Sequence, residues 1–225
     1  MPDLTFNSSA PAGITLVTFS AGTPTLTQSI INDGSTNTPV LLSSTRAFKP
    51  LSVTVEVEGE TYAQVEQRIS DLFASLTNNS VEICLLESLY YTAVLTGVSD
   101  PAYLYEGLSE ITLSFIATQH LPEVSTTLTG SGTITAAGNS KADAVITFTS
   151  PAGGTASVCG ITFEDLTPGS LVVVNGRNKT VTENGENIWL KTNMVSFPTV
   201  SPGENIINVM PSGLAVTIQY FPALT

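Results

Sequence analysis

Few side chains in these 225 residues have the chemistry to act on a substrate, and His120 is the first to weigh because it is the only histidine. A Ser/His/Asp triad or a histidine-based metal site would have to use it. It closes a strand-like run beside a stretch of linker composition, and the expectation is an ordinary surface side chain. The two cysteines, Cys84 and Cys159, sit in the apolar runs Val81-Glu82-Ile83-Cys84-Leu85-Leu86 and Ser157-Val158-Cys159-Gly160-Ile161. Cys84 has no base nearby to activate it. Both are expected to be buried free thiols rather than a disulfide. Carboxylates are more plentiful. A glycosidase needs two acids facing each other across a sugar, but Glu56, Glu58 and Glu60 alternate along one run and share a face. Glu164-Asp165 precedes a Pro-Gly turn and should be exposed. Neither set has the spacing of a calcium loop. Gly130-Ser131-Gly132 lacks the lysine and the following helix of a phosphate loop. No catalytic residue, metal site or cofactor is expected.

Sugar binding has its own candidates. Trp189 and Tyr220 offer aromatic faces of the kind that stack on pyranose rings, and Arg177 and Asn178 could supply hydrogen bonds. The half of the chain that holds them has no histidine. Trp189 is therefore expected in the core of Asn187-Ile188-Trp189-Leu190, with its ring buried.

Strands must position nearly all of these residues. Leu51 to Glu58 alternates apolar and polar, which is the period of a strand with one buried face. Gly59 ends it. Residues 61–76 then change period: Tyr62, Val65, Ile69, Leu72, Phe73 and Leu76 recur three or four apart and share one helical face. Glu58 and Glu60 lie at the end of the helix whose dipole favours negative charge, and Asn78-Asn79 can stop it in a left-handed turn. A lone amphipathic helix among strands must cover a sheet, because its apolar stripe has nowhere else to go. Further strands are expected at Gly13–Phe19, Thr25–Ile31, Val81–Leu86, Tyr90–Val98 and Glu110–Gln119, the last with Ile111, Leu113, Phe115 and Ala117 inward. Asn32-Asp33-Gly34-Ser35 is a turn, Thr38–Arg46 leads into the Leu51 strand, and Tyr103–Gly107 is a loop or irregular edge.

Residues 121–127 have the composition of a linker, which divides the chain into domains 1–124 and 125–225. The second has no helical periodicity. Strands are expected at Asp143–Thr149, Ser157–Phe163, Leu171–Val174, Lys179–Glu183, Glu186–Lys191, Ile206–Met210 and Leu214–Tyr220, with Asn175-Gly176 and Asn184-Gly185 as hairpin turns. That spacing is a β-sandwich. The fold class is mainly β with one α-helix.

Charge narrows the partners. Seven basic side chains stand against 19 acidic ones, a net charge of −12. Nucleic-acid binding relies on basic patches that neutralise phosphates, so the balance argues against it. A surface past which DNA slides without sticking is compatible with the same balance. The sequence has no apolar span of membrane-crossing length, and Met-Pro-Asp-Leu is not the basic start of a signal peptide. Neither membrane insertion nor ordinary secretion is expected.

Several segments together resemble one family. Arg46 leading into strand–helix–strand, then Tyr90-Tyr91-Thr92-Ala93-Val94 and the strand through Phe115, resembles the N-terminal domain of siphophage distal tail proteins. Leu171-Val172-Val173-Val174-Asn175-Gly176, Asn193–Phe197, Phe197-Pro198-Thr199-Val200-Ser201-Pro202-Gly203-Glu204-Asn205 and the closing Tyr220-Phe221-Pro222 resemble the family's galectin-like C-terminal sandwich. Neither half carries a long insertion, so the extended arms and extra carbohydrate modules of larger members are absent. The resemblance implies a virion structural protein of the tail tip, made in the host cytoplasm. It would form a homo-hexameric ring at the end of the tail tube, acting as baseplate hub, DNA channel and docking platform. Its implied partners are other copies of itself, the tail tube protein, a tail hub or lysin protein and receptor-binding or other baseplate proteins, with DNA only as transiting cargo. Glu56 and Glu58, on the side opposite Val53, Val55 and Val57, are the candidate channel-facing acids, turned either to solvent or to the channel. The rival readings are a carbohydrate-binding adhesin, with the sandwich as working domain, and a cell-wall hydrolase, which the lone histidine and missing nucleophile disfavour.

Overall fold

The computed structural model describes residues 3–31, 40–77 and 80–224. The turn expected at Asn32–Ser35 and the stop expected at Asn78-Asn79 lie outside them. Two compact units result, one ending at Gln119 and one beginning at His120.

The first unit contains β1 (Leu4–Phe6), β2 (Ile14–Ala21), β3 (Leu26–Ile31), β4 (Val40–Arg46), β5 (Lys49–Glu58), α1 (Tyr62–Leu76), β6 (Val81–Leu85), β7 (Leu89–Val98), β8 (Ala102–Tyr105) and β9 (Leu108–His120). Its main sheet runs β1-β6-β7-β9-β5-β2, with β8 hydrogen-bonded to β9. The alternation in β5 sets the layers. Leu51, Val53, Val55 and Val57 are buried, and opposite them on β9 stand Phe115, Leu113, Ile111 and Ser109. Val65, Ile69, Leu72 and Leu76 of α1 close over this face in one core cluster. Thr61 caps the helix: its Oγ1 accepts from the Gln64 amide at 3.4 Å, while Gln64 Oε1 accepts from the Glu60 amide at 2.8 Å. Such reciprocal bonds satisfy amides that have no partner within the helix. At the other end the Thr77 hydroxyl and amide both donate to the Phe73 carbonyl.

Two expectations for this unit change. Tyr62, placed on the buried stripe, is exposed at the first position of α1, where its ring meets Tyr103 edge-on with centroids 5.3 Å apart. Of the two readings of residues 103–107, the irregular edge holds: β8 pairs with β9 through a register shift between Tyr103 and Tyr105. The segment leading into β5 is itself a strand: β4 pairs antiparallel with β3, from Leu26↔Arg46 to Ile31↔Val40, as a two-stranded sheet apart from the main one.

The second unit contains β10 (Val124–Thr129), β11 (Gly132–Ala136), β12 (Ala142–Thr149), β13 (Ala156–Val158), β14 (Ile161–Phe163), β15 (Leu171–Asn175), β16 (Thr180–Glu183), β17 (Glu186–Asn187), a 3-10 turn at Trp189–Lys191, then β18 (Thr199–Val200), β19 (Gly203–Ile207), β20 (Val209–Met210) and β21 (Ala215–Tyr220). Its main sheet runs β10-β21-β12-β15-β16-β17; β14-β13-β20 and β11-β19 form smaller sheets. The core between them centres on Phe148 and Phe163, packed edge-to-face at 5.2 Å, with Ile146, Val172, Val174, Val216 and Ile218 around them.

Here too the sequence expectations need correction. Residues 124–127, read as linker, begin β10, which pairs with β21 from Val124↔Tyr220 to Thr129↔Ala215. Its outward Ser and Thr residues gave it a linker's composition. Ser157–Phe163 is not one strand but a hairpin. Cys159 and Gly160 turn it with φ of 53° and 80°, both in the left-handed region that two-residue hairpin turns require. Asn184-Gly185 turns β16 into β17 in the same way, with φ of 50° and 90°, as expected, but Asn175-Gly176 does not: Asn175 ends β15, and a four-residue turn over 176–179 joins it to β16. After Asn187 the chain leaves the sheet, so the strand expected through Lys191 is a 3-10 turn instead.

Candidate functional site

The face of the first sheet that α1 leaves uncovered holds the acids singled out by sequence. On β5, Glu56 is half-exposed and Glu58 exposed, on the side away from the buried valines. Register then adds what the sequence could not. Glu56 stands directly opposite Glu110 of β9 and opposite Thr15 of β2. Below this level Thr54 faces Thr112, their hydroxyls 3.0 Å apart, and Ser52 faces Ser114. Two neighbouring strands thus carry a ladder of hydroxyls rising to a pair of like charges. Like charges opposite one another destabilise a sheet, so stability does not account for this pair. Charge is also uneven along the chain. Residues 1–119 hold 12 of the 19 acids and three of the seven bases, a net charge of −9, against −3 for the remainder.

Of the four candidate sugar contacts, Tyr220 is buried in the core and out of reach of a sugar, while Arg177 and Trp189 lie in separate aromatic clusters. Arg177 lies 4.0 Å over the Phe221 ring and donates to Glu123 Oε1 at 2.7 Å. Asn178 contributes its backbone amide to Asn175 Oδ1, which also accepts from the Arg177 amide. Trp189 is elsewhere, with its ring centroid 5.6 Å from that of Phe197. It is 42 % exposed, so the expected core position is wrong: in the 3-10 turn it is the preceding Ile188 that points inward. Beside Phe197 a cavity of about 460 Å³ opens, lined by Met194, Phe197, Pro198, Cys159 and Asn193 among others, none of them charged.

His120 is not on the surface either. Only 5 % exposed, it stacks on Phe221 at 4.4 Å. Its Nδ1 is 2.9 Å from the Leu121 carbonyl, and a carbonyl can only accept, so Nδ1 carries the proton there. Cys84 and Cys159 are free, as expected, but half-buried rather than fully so. Burial still raises the Cys84 thiol and pushes Cys159 up to about 11, which leaves little thiolate at neutral pH.

Sequence reasoning missed Glu183. It ends β16 with its side chain buried. Oε2 accepts from Lys191 Nζ at 2.8 Å; Oε1 accepts from Ser170 Oγ at 2.7 Å and from the Thr167 amide at 2.6 Å. Lys191 above all, then Ser170, hold the carboxyl at about 2, below its ordinary 4.5. Lys191 also donates to the Asp165 carbonyl. The network ties the loop between β14 and β15 and the 3-10 turn to the end of β16. A glutamate in an ordinary hairpin strand carries no sequence signal of this. Among the described residues, no group of three or more His, Cys, Asp or Glu side chains could hold a metal ion, and no helix is long and apolar enough to cross a membrane.

No family model matches the sequence, and no curated protein sequence matches it. Solved structures do match. The fold, mostly β with a single helix among the described residues, is similar to that of solved phage hub and baseplate proteins. The SPP1 Dit protein, described as a paradigm of the hub adsorption apparatus in phages that infect Gram-positive bacteria, superposes with a TM-score of 0.68 at 14 % identity, over 99 % of this chain and 98 % of its own. The phage P2 baseplate in its activated conformation matches with TM-scores of 0.62 with Ca (10 % identity, 94 % of this chain and 91 % of that one) and 0.56 with Sr (11 %, 92 % and 90 %). The likeness at these identities is one of fold, and it agrees with the resemblance carried by the Tyr90-Tyr91 strand and the Phe197–Asn205 segment.

Proposed function

We propose that this chain is a distal tail protein of a siphophage-type tail tip: a virion structural protein, not an enzyme. It would assemble as a hexameric ring at the end of the tail tube. The observation that carries this is the fold likeness to SPP1 Dit across both units rather than one. The sheet supports it further. Glu56, Glu58 and Glu110 share a face that the helix does not cover, and concentrating acid there would keep passing DNA from adhering. The edge strands β1 and β2 would find partners in neighbouring copies, since a closed ring uses up sheet edges that would otherwise invite uncontrolled pairing. The second unit would point outward and dock other baseplate or receptor-binding proteins.

Solution mass and negative-stain imaging test the ring. Six copies of 23.5 kDa, about 141 kDa, with a central hole are expected. A monomer that persists at high concentration overturns it.

The exposure of Trp189 favours one second reading, a glycan-binding role for the sandwich. Trp189 is the only tryptophan, so its fluorescence reports directly on any ring stacked against it. A neutral oligosaccharide panel that shifts the emission supports an adhesin; a flat response across the panel leaves the structural role alone.

A further inference from the structure

β8 is unlike the other strands of its sheet: all four of its residues are exposed. Among the described residues it pairs only with β9, so its other edge is open. Tyr103, Leu104 and Tyr105 on it are 42 %, 53 % and 64 % exposed, and Tyr62 of α1 adds a third exposed ring against Tyr103. Folded proteins protect such edges, because unpaired backbone groups beside apolar side chains recruit another strand. Tyr103 pairs with Ser109 and Tyr105 with Leu108, so the two rings flank the open edge on opposite faces of the sheet, and tyrosine is among the residues that dominate binding energy.

The strand is held in place without a partner. The Gly59 amide donates to the Gly107 carbonyl at 2.7 Å, and a Cβ at Gly107 would strike the Gly59 carbonyl oxygen. Ser109, fully buried, donates its hydroxyl to the Ala102 carbonyl. The turn after β8 is thereby clamped to the segment entering α1, and an edge fixed in advance loses little freedom on binding.

Charge identifies the occupant. Asp100 and Glu106 flank β8, Glu110 stands opposite Ala102, Glu60 lies beside Gly107, and Glu66 is one turn along α1 from Tyr62. Among the described residues none of these carboxylates is in an ion pair. The nearby base, Arg68, donates to the Glu58 carbonyl. A second copy would bring the same acids to the same edge, which disfavours self-pairing there.

We propose that β8 is the docking edge for an extended, lysine- or arginine-bearing segment of a partner protein. The segment adds to the sheet as a strand, its side chains meeting Tyr103 on one face of the sheet and Tyr105 on the other, and its bases facing the acidic rim. This stands whether or not the chain forms a ring.

Fluorescence anisotropy with labelled peptides of about eight residues tests it. Alternating Lys-Val should bind; its Glu-Val counterpart should not. The same Lys-Val charge interrupted by proline, which removes ladder donors, should bind about tenfold more weakly or less. Raising salt to about 0.5 M should weaken the Lys-Val complex. Tyr103→Ser with Tyr105→Ser should abolish binding, and Leu104→Ser serves as a second variant; all are exposed changes, and an unshifted melting temperature confirms that each variant folds. No Lys-Val binding, equal binding by the proline peptide, or full binding by the double variant overturns the proposal. So does a concentration-dependent mass that the double variant abolishes, which assigns the edge to a second copy.

Discussion

Gly176 and Pro198 meet across β12: a Cβ on Gly176 would come within 2.7 Å of the Pro198 carbonyl oxygen and 2.6 Å of that of Ala144. The Gly176 amide donates to Ala144 O, and the Ala144 amide donates to Pro198 O. The turn that Gly176 opens and the Phe197–Asn205 segment are therefore fastened to the same residue. Asn205 braces the far end of that segment, accepting from the Ser201 amide and donating to the Ser201 and Gly203 carbonyls. Gly176→Ala should destabilise the protein by about 2–3 kcal/mol through overpacking against backbone. Gly185→Ala meets open space and suffers only left-handed strain, about 1–2 kcal/mol. Urea midpoints for the two variants check the order.

Glu183 makes stability fall in acid. Its folded value of about 2 lies below the ordinary 4.5, so its contribution is complete above pH 4.5 and is lost as pH falls through about 2. The difference corresponds to about 3 kcal/mol. Glu183→Gln should lower stability at neutral pH and flatten its decline between about pH 4.5 and 2, measured as urea midpoint against pH. Lys191→Met should be destabilising at neutral pH by about 3 kcal/mol, since it leaves a buried carboxylate without its cation.

The opposed carboxylates of Glu56 and Glu110 predict a gain on neutralisation. Glu56→Gln should raise stability by about 0.5 kcal/mol, and Glu110→Gln by the same amount, with little further gain when both are changed. Denaturation of the three variants at low salt measures this coupling.

Reversing charge on the same face tests the channel. If the ring is formed, Glu56→Lys with Glu58→Lys should leave rings visible by negative stain while impairing DNA ejection from assembled particles. Unimpaired infection assigns the face to solvent.

Trp189→Ala should cost about 1 kcal/mol or less, against the 3–5 kcal/mol typical of a buried tryptophan. Thermal melting compared with Phe163→Ala, a change in the core, separates the two cases.

What was legible in the sequence was whatever depends on neighbours along the chain. Val53, Val55 and Val57 alternate with polar residues, and a strand has only two faces, so burying one placed Glu56 and Glu58 together on the other. Val65, Ile69, Leu72 and Leu76 shared a helical stripe that a sheet had to meet. Asn184-Gly185 forms the expected turn because few residue pairs adopt two left-handed conformations in succession, whereas the same pair at 175–176 is drawn into β15 and a four-residue turn by its pairing partners. Aromatic and titratable groups were different, because their surroundings come from distant segments. His120 is buried by Phe221, Arg177 is occupied by Phe221 and Glu123, and Glu183 is held by Ser170 and Lys191. Tyr62 and Trp189 had the right period for the core and stand outside it, because Tyr62 starts its helix and Trp189 follows the end of a strand. The sequence by itself determined which way each strand faces, since that follows from a two-residue period. Only the tertiary structure decided that Glu56 would oppose Glu110 and that β8 would be left with an open edge, since strand register and strand order are settled by pairing between residues far apart in the chain.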